Sequence, residues 1–162
     1  MKTIYLSLGS NIGDRETQLR EAIRRLNAAE VCVVRRSAVY ETEPQDVTDQ
    51  DWFLNAVVEA ETELFPMQLL SRTQNIESEM GRRRVRPGGP RSIDIDILLY
   101  GKSVIRTPQL EVPHPRLAQR RFVLEPLADL SPELRHPVSG QTVREMLGKI
   151  QGQHVVATSV VL

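Results

Sequence analysis

Apolar and polar residues change period several times along this chain, and the changes divide it into elements. Across residues 3–8 apolar residues interleave with β-formers, which predicts a first strand, ended by the turn-rich run Gly9-Ser10-Asn11-Ile12-Gly13. Asp14 stands where a helix needs an N-cap, and Leu19, Ala22, Ile23 and Leu26 follow at the i, i+3, i+4, i+7 spacing of one helical face. Residues 31–40 read as a second strand and 53–61 as a third. Between them the polar stretch 41–51 reads as a loop, because Pro44 cannot donate to a strand ladder. Pro66 occupies a position that a helix start tolerates, and Leu69, Thr73, Ile76 and Met80 line one face of the helix after it. Residues 81–89 then read as a loop and 92–100 as a fourth strand. Strand, helix, strand, strand, helix, strand is the split βαβ order of a ferredoxin-like α+β fold, which lays both helices on one face of an antiparallel sheet. Beyond Gly101 the chain is punctuated by Pro108, Pro113, Pro115, Pro126, Pro132 and Pro137, which predicts short helices, among them 142–149. Residues 154–162 are apolar enough for an extra edge strand, whose partner the pattern does not reveal.

Composition narrows the class. A chain of 162 residues fits one ordinary domain, expected over 1–162, and 40% hydrophobic with 26% charged residues suits a globular core. Lys+Arg and Asp+Glu both total 21, so no global field draws the protein to nucleic acid or membrane, and an anion site must come from local clustering of arginine. Cys32 is the single cysteine, which excludes an internal disulfide and a cysteine zinc cage. No apolar run approaches the ~20 residues of a membrane span, and the N-terminus carries no long apolar leader core. The expectation is a cytoplasmic protein.

The sharpest chemistry lies in Ile93-Asp94-Ile95-Asp96-Ile97-Leu98-Leu99. Alternate strand residues share a face, so Asp94 and Asp96 point one way while the isoleucines point to the core. Two carboxylates so close repel unless a cation lies between them, and a hard ion such as magnesium suits one or two carboxylates plus substrate phosphates. The bland alternative is a solvated polar face. Just before the pair stand Arg82, Arg83, Arg84, Arg86 and Arg91, with no acidic residue between Glu79 and Asp94. Guanidinium forks match phosphate oxygens, and the hinge glycines Gly88 and Gly89 would let such a loop close over a polyphosphate. RNA binding is the rival reading, but the loop lacks aromatics for base stacking. His114 lies among Arg116, Arg120 and Arg121, which makes it either structural or a phosphate or base contact. Asn55, polar within an apolar strand, is either a satisfied buried amide or a reader of a ligand edge. The run 9–14 follows a strand and precedes a helix, as phosphate loops do, yet lacks the Walker A lysine and spacing.

Taken together, Ser7-Leu8-Gly9-Ser10-Asn11, Phe53-Leu54-Asn55-Ala56, Gln74-Asn75-Ile76-Glu77, Gly89-Pro90-Arg91-Ser92-Ile93-Asp94-Ile95-Asp96-Ile97 and Val112-Pro113-His114-Pro115-Arg116 through Arg120-Arg121-Phe122 resemble the 6-hydroxymethyl-7,8-dihydropterin pyrophosphokinases. The resemblance runs in order over nearly the whole chain. It implies a ferredoxin-like fold and transfer of the β,γ-diphosphate of ATP to the pterin hydroxymethyl group, releasing AMP, in folate synthesis. It implies that Asp94 and Asp96 hold two Mg2+ ions on the ATP phosphates, and that Arg82, Arg84 and Arg91 neutralise those phosphates, with Arg82, Arg91, Asp94 and Asp96 as the catalytic group. Gln74, Glu77, Ile97, His114, Arg116 and Arg120 fall at ATP contacts. Thr42, Glu43, Pro44, Phe53, Asn55, Asp94 and Phe122 fall at the pterin, Asn55 reading the ring edge and Phe122 stacking on its face. The expected partners are these small molecules, with no nucleic acid or membrane, and the expected state is a monomer. Gly88 stands where some members carry an aromatic, the arginine loop is about a residue shorter than in some, and Gln109 replaces an arginine of some relatives. A nucleotidyltransferase, releasing pyrophosphate, and a non-enzymatic ferredoxin-like binding module are the competing readings.

Overall fold

The computed structural model describes residues 1–44, 49–81 and 92–162. Strands β1 (Lys2–Ser10), β2 (Val31–Arg36), β3 (Tyr40–Thr42), β4 (Phe53–Thr62) and β5 (Asp94–Tyr100) form one antiparallel sheet with the tail strand β8 (Val155–Ala157); β6 (Ile105–Arg106) and β7 (Glu111–Val112) make a separate hairpin. The sheet runs β5-β1-β4-β3-β8, with β2 pairing β4 beside β3. Helices α1 (Arg15–Ala28) and α2 (Pro66–Glu79) fall between strands as the ferredoxin-like order requires. Asp14 caps α1 by accepting from Thr17 N at 3.2 Å, and Leu19, Ala22, Ile23 and Leu26 are the buried face. Those four are the positions that the helical spacing selects.

Both faces of the sheet are covered, whereas the split βαβ order accounts for one. Ile4, Leu6, Leu8, Ala56, Val58, Ala60, Ile95 and Ile97 pack under α1 and α2. Tyr5, Val57, Leu98 and Leu99 pack against α3 (Arg121–Leu130) and α4 (Val143–Gly148), through Val123, Leu124, Leu127, Val143 and Met146. Consecutive residues Leu98 and Leu99 serve the same face because the β1–β5 register slips between Tyr5 and Leu6, inserting Leu98 as a bulge.

The stretch 31–40 is two strands and not one. Ser37 interrupts it: Val57 N donates to Ser37 Oγ and Ser37 N donates to Val57 O, both at 2.9 Å. A serine that offers its hydroxyl to the neighbouring strand replaces a ladder rung and lets the line resume at Tyr40 with a new register. The strand therefore re-forms up to Thr42, inside the segment whose proline suggested a loop. The tail finds its partner here: β8 pairs antiparallel with β3, Thr42 opposite Val155.

Candidate active site

Strand register brings the chemistry together. On the face that carries α3, Asp94 lies opposite Gly9, Gly9 opposite Asn55 and Asn55 opposite Tyr40, while the next rung places Asp96 opposite Ser7. With strands ~4.8 Å apart, the Asp94 carboxylate and the Asn55 amide face the same side about 10 Å apart. Between them Gly9 contributes no side chain of its own, so the row is a low floor, overhung by the Asn55 amide from one side and bounded by the Asp94 carboxylate on the other. Asn55 is buried and donates from Nδ2 to Thr42 Oγ1 at 2.6 Å, which fixes the amide across β3 and β4. Phe53 sits opposite Thr42 at the rim, half-buried.

Arg120 and Phe122, where α3 begins, wall this floor. The Arg120 guanidinium lies 5.3 Å from the centre of the Phe122 ring, and its Nη1 is 3.8 Å from Asp96 Oδ2. A cation stacked on an aromatic face is held in orientation at little cost in entropy. Asp94 and Asp96 are half-buried and share the face, as the alternation demands. Among the described residues no group of three or more His, Cys, Asp or Glu side chains could hold a metal alone. Two carboxylates on one strand face fit a magnesium ion that takes its remaining oxygens from phosphate and water.

The outer edge of β5 carries a second feature. Glu77, buried on α2, accepts from Ile95 N at 2.8 Å through Oε2, so it anchors the strand between the two aspartates. His114 N donates to Leu98 O at 2.9 Å, holding the following segment against the same edge. Its Nδ1 accepts from Arg116 N at 3.1 Å, which leaves the proton on Nε2. Burial first, then Arg120 and Arg116, push the His114 pKa down to about 4 against an opposing pull from Asp94, so the imidazole is a neutral donor near pH 7. Between β5, α2 and the β6–β7 hairpin lies a cavity of about 260 Å³, lined by Leu70, Ile97, Pro108, Gln109, Leu110 and His114 among others. Its walls are polar and apolar in about equal measure, with Asp96, Thr107 and Glu111 beside the aliphatic side chains, a lining that a flat ring with hydrogen-bonding edges could use.

Most of the residues singled out in the sequence thus converge. Asp94, Asp96, Phe53, Asn55 and Thr42 share one face of the sheet, Arg120 and Phe122 stand at the start of the helix over it, and Ile97 and His114 line the adjoining cavity. Gln74 is exposed on α2, one turn before Glu77. Arg116 is exposed. Pro44 is buried next to Thr42, while Glu43 turns to the tail, its Oε1 accepting from His154 N at 2.9 Å. Arg82, Arg84 and Arg91, with the loop that carries them, lie outside the described residues. Arg121, grouped in the sequence with possible phosphate contacts, is spent on structure: Nη2 donates to Ile150 O at 2.7 Å, Nε to Gly152 O at 3.1 Å and Nη1 to Glu125 at 3.1 Å. The run 9–14 does not form a phosphate cradle either. Gly9 lies within β1, and Asn11 donates to Gln50 Oε1 and Asp51 O, tying two loops together. Sequence reasoning missed the cavity wall, although Leu70 stands one helical turn before Gln74 and two before Glu77, a spacing that marks a shared face.

Paired carboxylates on one strand face, a stacked arginine beside them and an adjoining cavity are an arrangement that suits an enzyme of phosphoryl transfer. Comparison with known proteins agrees and goes further: the family model described as 7,8-dihydro-6-hydroxymethylpterin-pyrophosphokinase matches residues 5–132, and the chain belongs to that family. It is 49% identical, over 87% of its length and 86% of the relative's, to the Bacillus subtilis protein named 2-amino-4-hydroxy-6-hydroxymethyldihydropteridine pyrophosphokinase. It is 43% identical to the "Folic acid synthesis protein fol1" of Pneumocystis carinii, over 92% of this chain and 20% of that longer protein. Among solved structures it resembles the Plasmodium falciparum HPPK-DHPS wild type with pteroate, with a TM-score of 0.74 and 19% identity, over 91% of this chain and 42% of that one. That likeness shows the fold.

Proposed function

We propose that this chain transfers the β,γ-diphosphate of ATP to 6-hydroxymethyl-7,8-dihydropterin. The pterin hydroxyl oxygen attacks the β-phosphorus, the bond from that phosphorus to the α,β-bridging oxygen breaks, AMP leaves with the oxygen, and the hydroxyl proton is released. The observation that carries the reading is the row Asp94–Gly9–Asn55, in which the Asn55 amide overhangs the bare backbone of Gly9 and the Asp94 carboxylate stands at the far end. A planar, hydrogen-bonding ring can lie on such a floor, its edge read by Asn55 and Thr42, one face against Phe122, and its hydroxymethyl arm reaching toward Asp94. The slot at Leu70, Ile97 and His114 would take the adenine, which leaves the polyphosphate beside Asp96 and Arg120.

Asp94 and Asp96 would hold two magnesium ions, which supply charge neutralisation on the polyphosphate when bound. The protein's own part is placement: Arg120 orients and neutralises phosphate oxygens, and the neutral His114 donates from Nε2. Arg82, Arg84 and Arg91 would add further cations from the arginine loop. Attack at phosphorus demands alignment and charge compensation more than covalent help, which suits a site made of carboxylates, guanidinium groups and amides. No helix among the described residues is long and apolar enough to cross a membrane.

The experiment is AMP formation from ATP, magnesium and the hydroxymethyl dihydropterin, with Asp94→Asn and Asp96→Asn alongside. AMP that requires both pterin and magnesium, and falls by ~10³-fold or more in both variants, is the expected result. Pyrophosphate in place of AMP would identify a nucleotidyltransferase. No nucleotide turnover by folded protein would reject the reading.

A further inference from the structure

Gln153 belongs to no motif in the sequence, yet it meets the site. The chain leaving α4 turns through two successive left-handed residues, Gly152 at φ +76° and Gln153 at φ +58°. For a non-glycine residue that conformation is unfavourable and persists where other contacts hold it. The contacts are specific. Gln153 Oε1 accepts from Arg121 N at 2.8 Å, and its Nε2 donates to Gln119 O at 2.9 Å. One side-chain amide therefore grips the two peptide groups on either side of Arg120. Arg121 N is also a leading N–H of α3, a helix whose N-cap residue, Arg120, makes no side-chain cap. The glutamine supplies that cap from the tail. Arg121 reinforces the join by binding Ile150 O and Gly152 O with its guanidinium.

We propose that Gln153 is a positioning residue for Arg120, its two-point amide clamp fixing the backbone from which the Arg120 guanidinium is directed over Phe122 toward Asp96. The proposal rests on reading Arg120 as a phosphate contact. Arg120 φ and ψ, −117° and 105°, are extended and allow rotation about the very bonds that aim the side chain; hydrogen bonds on both flanking peptides restrict that rotation. A guanidinium displaced by about 1 Å loses the alignment on which phosphoryl transfer depends, which costs on the order of 10- to 100-fold in rate.

Gln153→Gly removes the amide while relieving the left-handed strain, so the fold should keep its melting temperature to within a few degrees. The expected result is a fall in kcat/KM for ATP of about 10-fold in Gln153→Gly, and a further change of less than about twofold when the same substitution is made in an Arg120→Ala background. Wild-type kinetics in Gln153→Gly, or two losses that multiply in the double variant, would overturn the proposal. So would an Arg120→Ala enzyme of wild-type rate. Failure of the wild-type protein to form AMP would instead reject the reaction assigned above, and the clamp then remains readable without turnover. Hydrogen exchange of the Arg121 amide should quicken at least ~10-fold in Gln153→Gly, and unchanged exchange overturns the clamp.

Discussion

Replacing Gly9 by alanine puts the low floor to the test. A methyl group built on Gly9 would lie 2.4 Å from Asn55 Oδ1, 3.5 Å from Asn55 Cγ and 3.7 Å from Phe53 Cδ1. The first contact is about 1 Å inside van der Waals separation, so the Asn55 amide must move or β1 must shift against β4. Asn55 cannot move freely, since its amide is buried and bonded to Thr42 Oγ1 at 2.6 Å. Breaking that bond costs about 1–2 kcal/mol, and forcing a methyl into packed structure adds about 1–3 kcal/mol. The sum for Gly9→Ala is about 2–4 kcal/mol, allowing for partial relaxation. On the proposed function the pterin should suffer far more than the nucleotide: its KM should rise at least ~10-fold while that for ATP stays within about twofold, because the adenine slot is on the far side of β5. Denaturant unfolding gives the first quantity, and AMP formation at saturating ATP with varied pterin the second. In an Asn55→Ala background the collision disappears, and the same alanine should cost less than about 1 kcal/mol. A Gly9→Ala protein within about 0.5 kcal/mol of wild type and with an unchanged pterin KM would refute the reasoning.

Three further outcomes follow from the geometry. Glu77→Ala removes the acceptor for Ile95 N on the outer edge of β5, and should destabilise by about 1–3 kcal/mol in denaturant unfolding, whereas Glu77→Gln, which keeps an acceptor oxygen, should lose less. Leu124, fully buried on the inner face of α3, should cost about 2–5 kcal/mol as alanine, read from the shift in unfolding midpoint at constant slope; a loss under about 1 kcal/mol would mean that α3 does not cover the sheet. His114 is held neutral in the folded protein with its pKa near 4, while the unfolded chain titrates near 6.5. The unfolded state therefore binds the extra proton between these values, and stability should fall as pH drops from about 6.5 to about 4; His114→Asn should flatten that part of the curve, and an unchanged slope would contradict the assignment.

Much of the site was legible before any coordinates. The Asp94–Asp96 alternation lies within one strand, and period two is a local property of extended backbone, so the shared face follows from spacing alone. The same holds for Leu19, Ala22, Ile23 and Leu26, whose helical spacing is also local. Pro66 at the start of α2 and the Thr142 cap of α4 are set by neighbours a few residues away. The run His114 to Phe122 could be marked as basic, but not divided: nothing in its sequence separates Arg120, which turns to Asp96, from Arg121, which turns to the tail.

By itself the sequence determined α1, α2 and the main strands of the first hundred residues with their order, the paired carboxylates and, through motifs spread along the chain, the family. Tertiary structure decided which of these meet. Gly9 becomes a floor because register sets it between Asn55 and Asp94, residues 46 and 85 positions away, and register depends on how whole strands bury their faces. Ser37 divides a strand because of where Val57 falls on its neighbour. The tail pairs with β3, and Gln153 reaches Arg120, because the helices on the second face return the chain to that edge. Such contacts join groups far apart in the chain, and no local period encodes them.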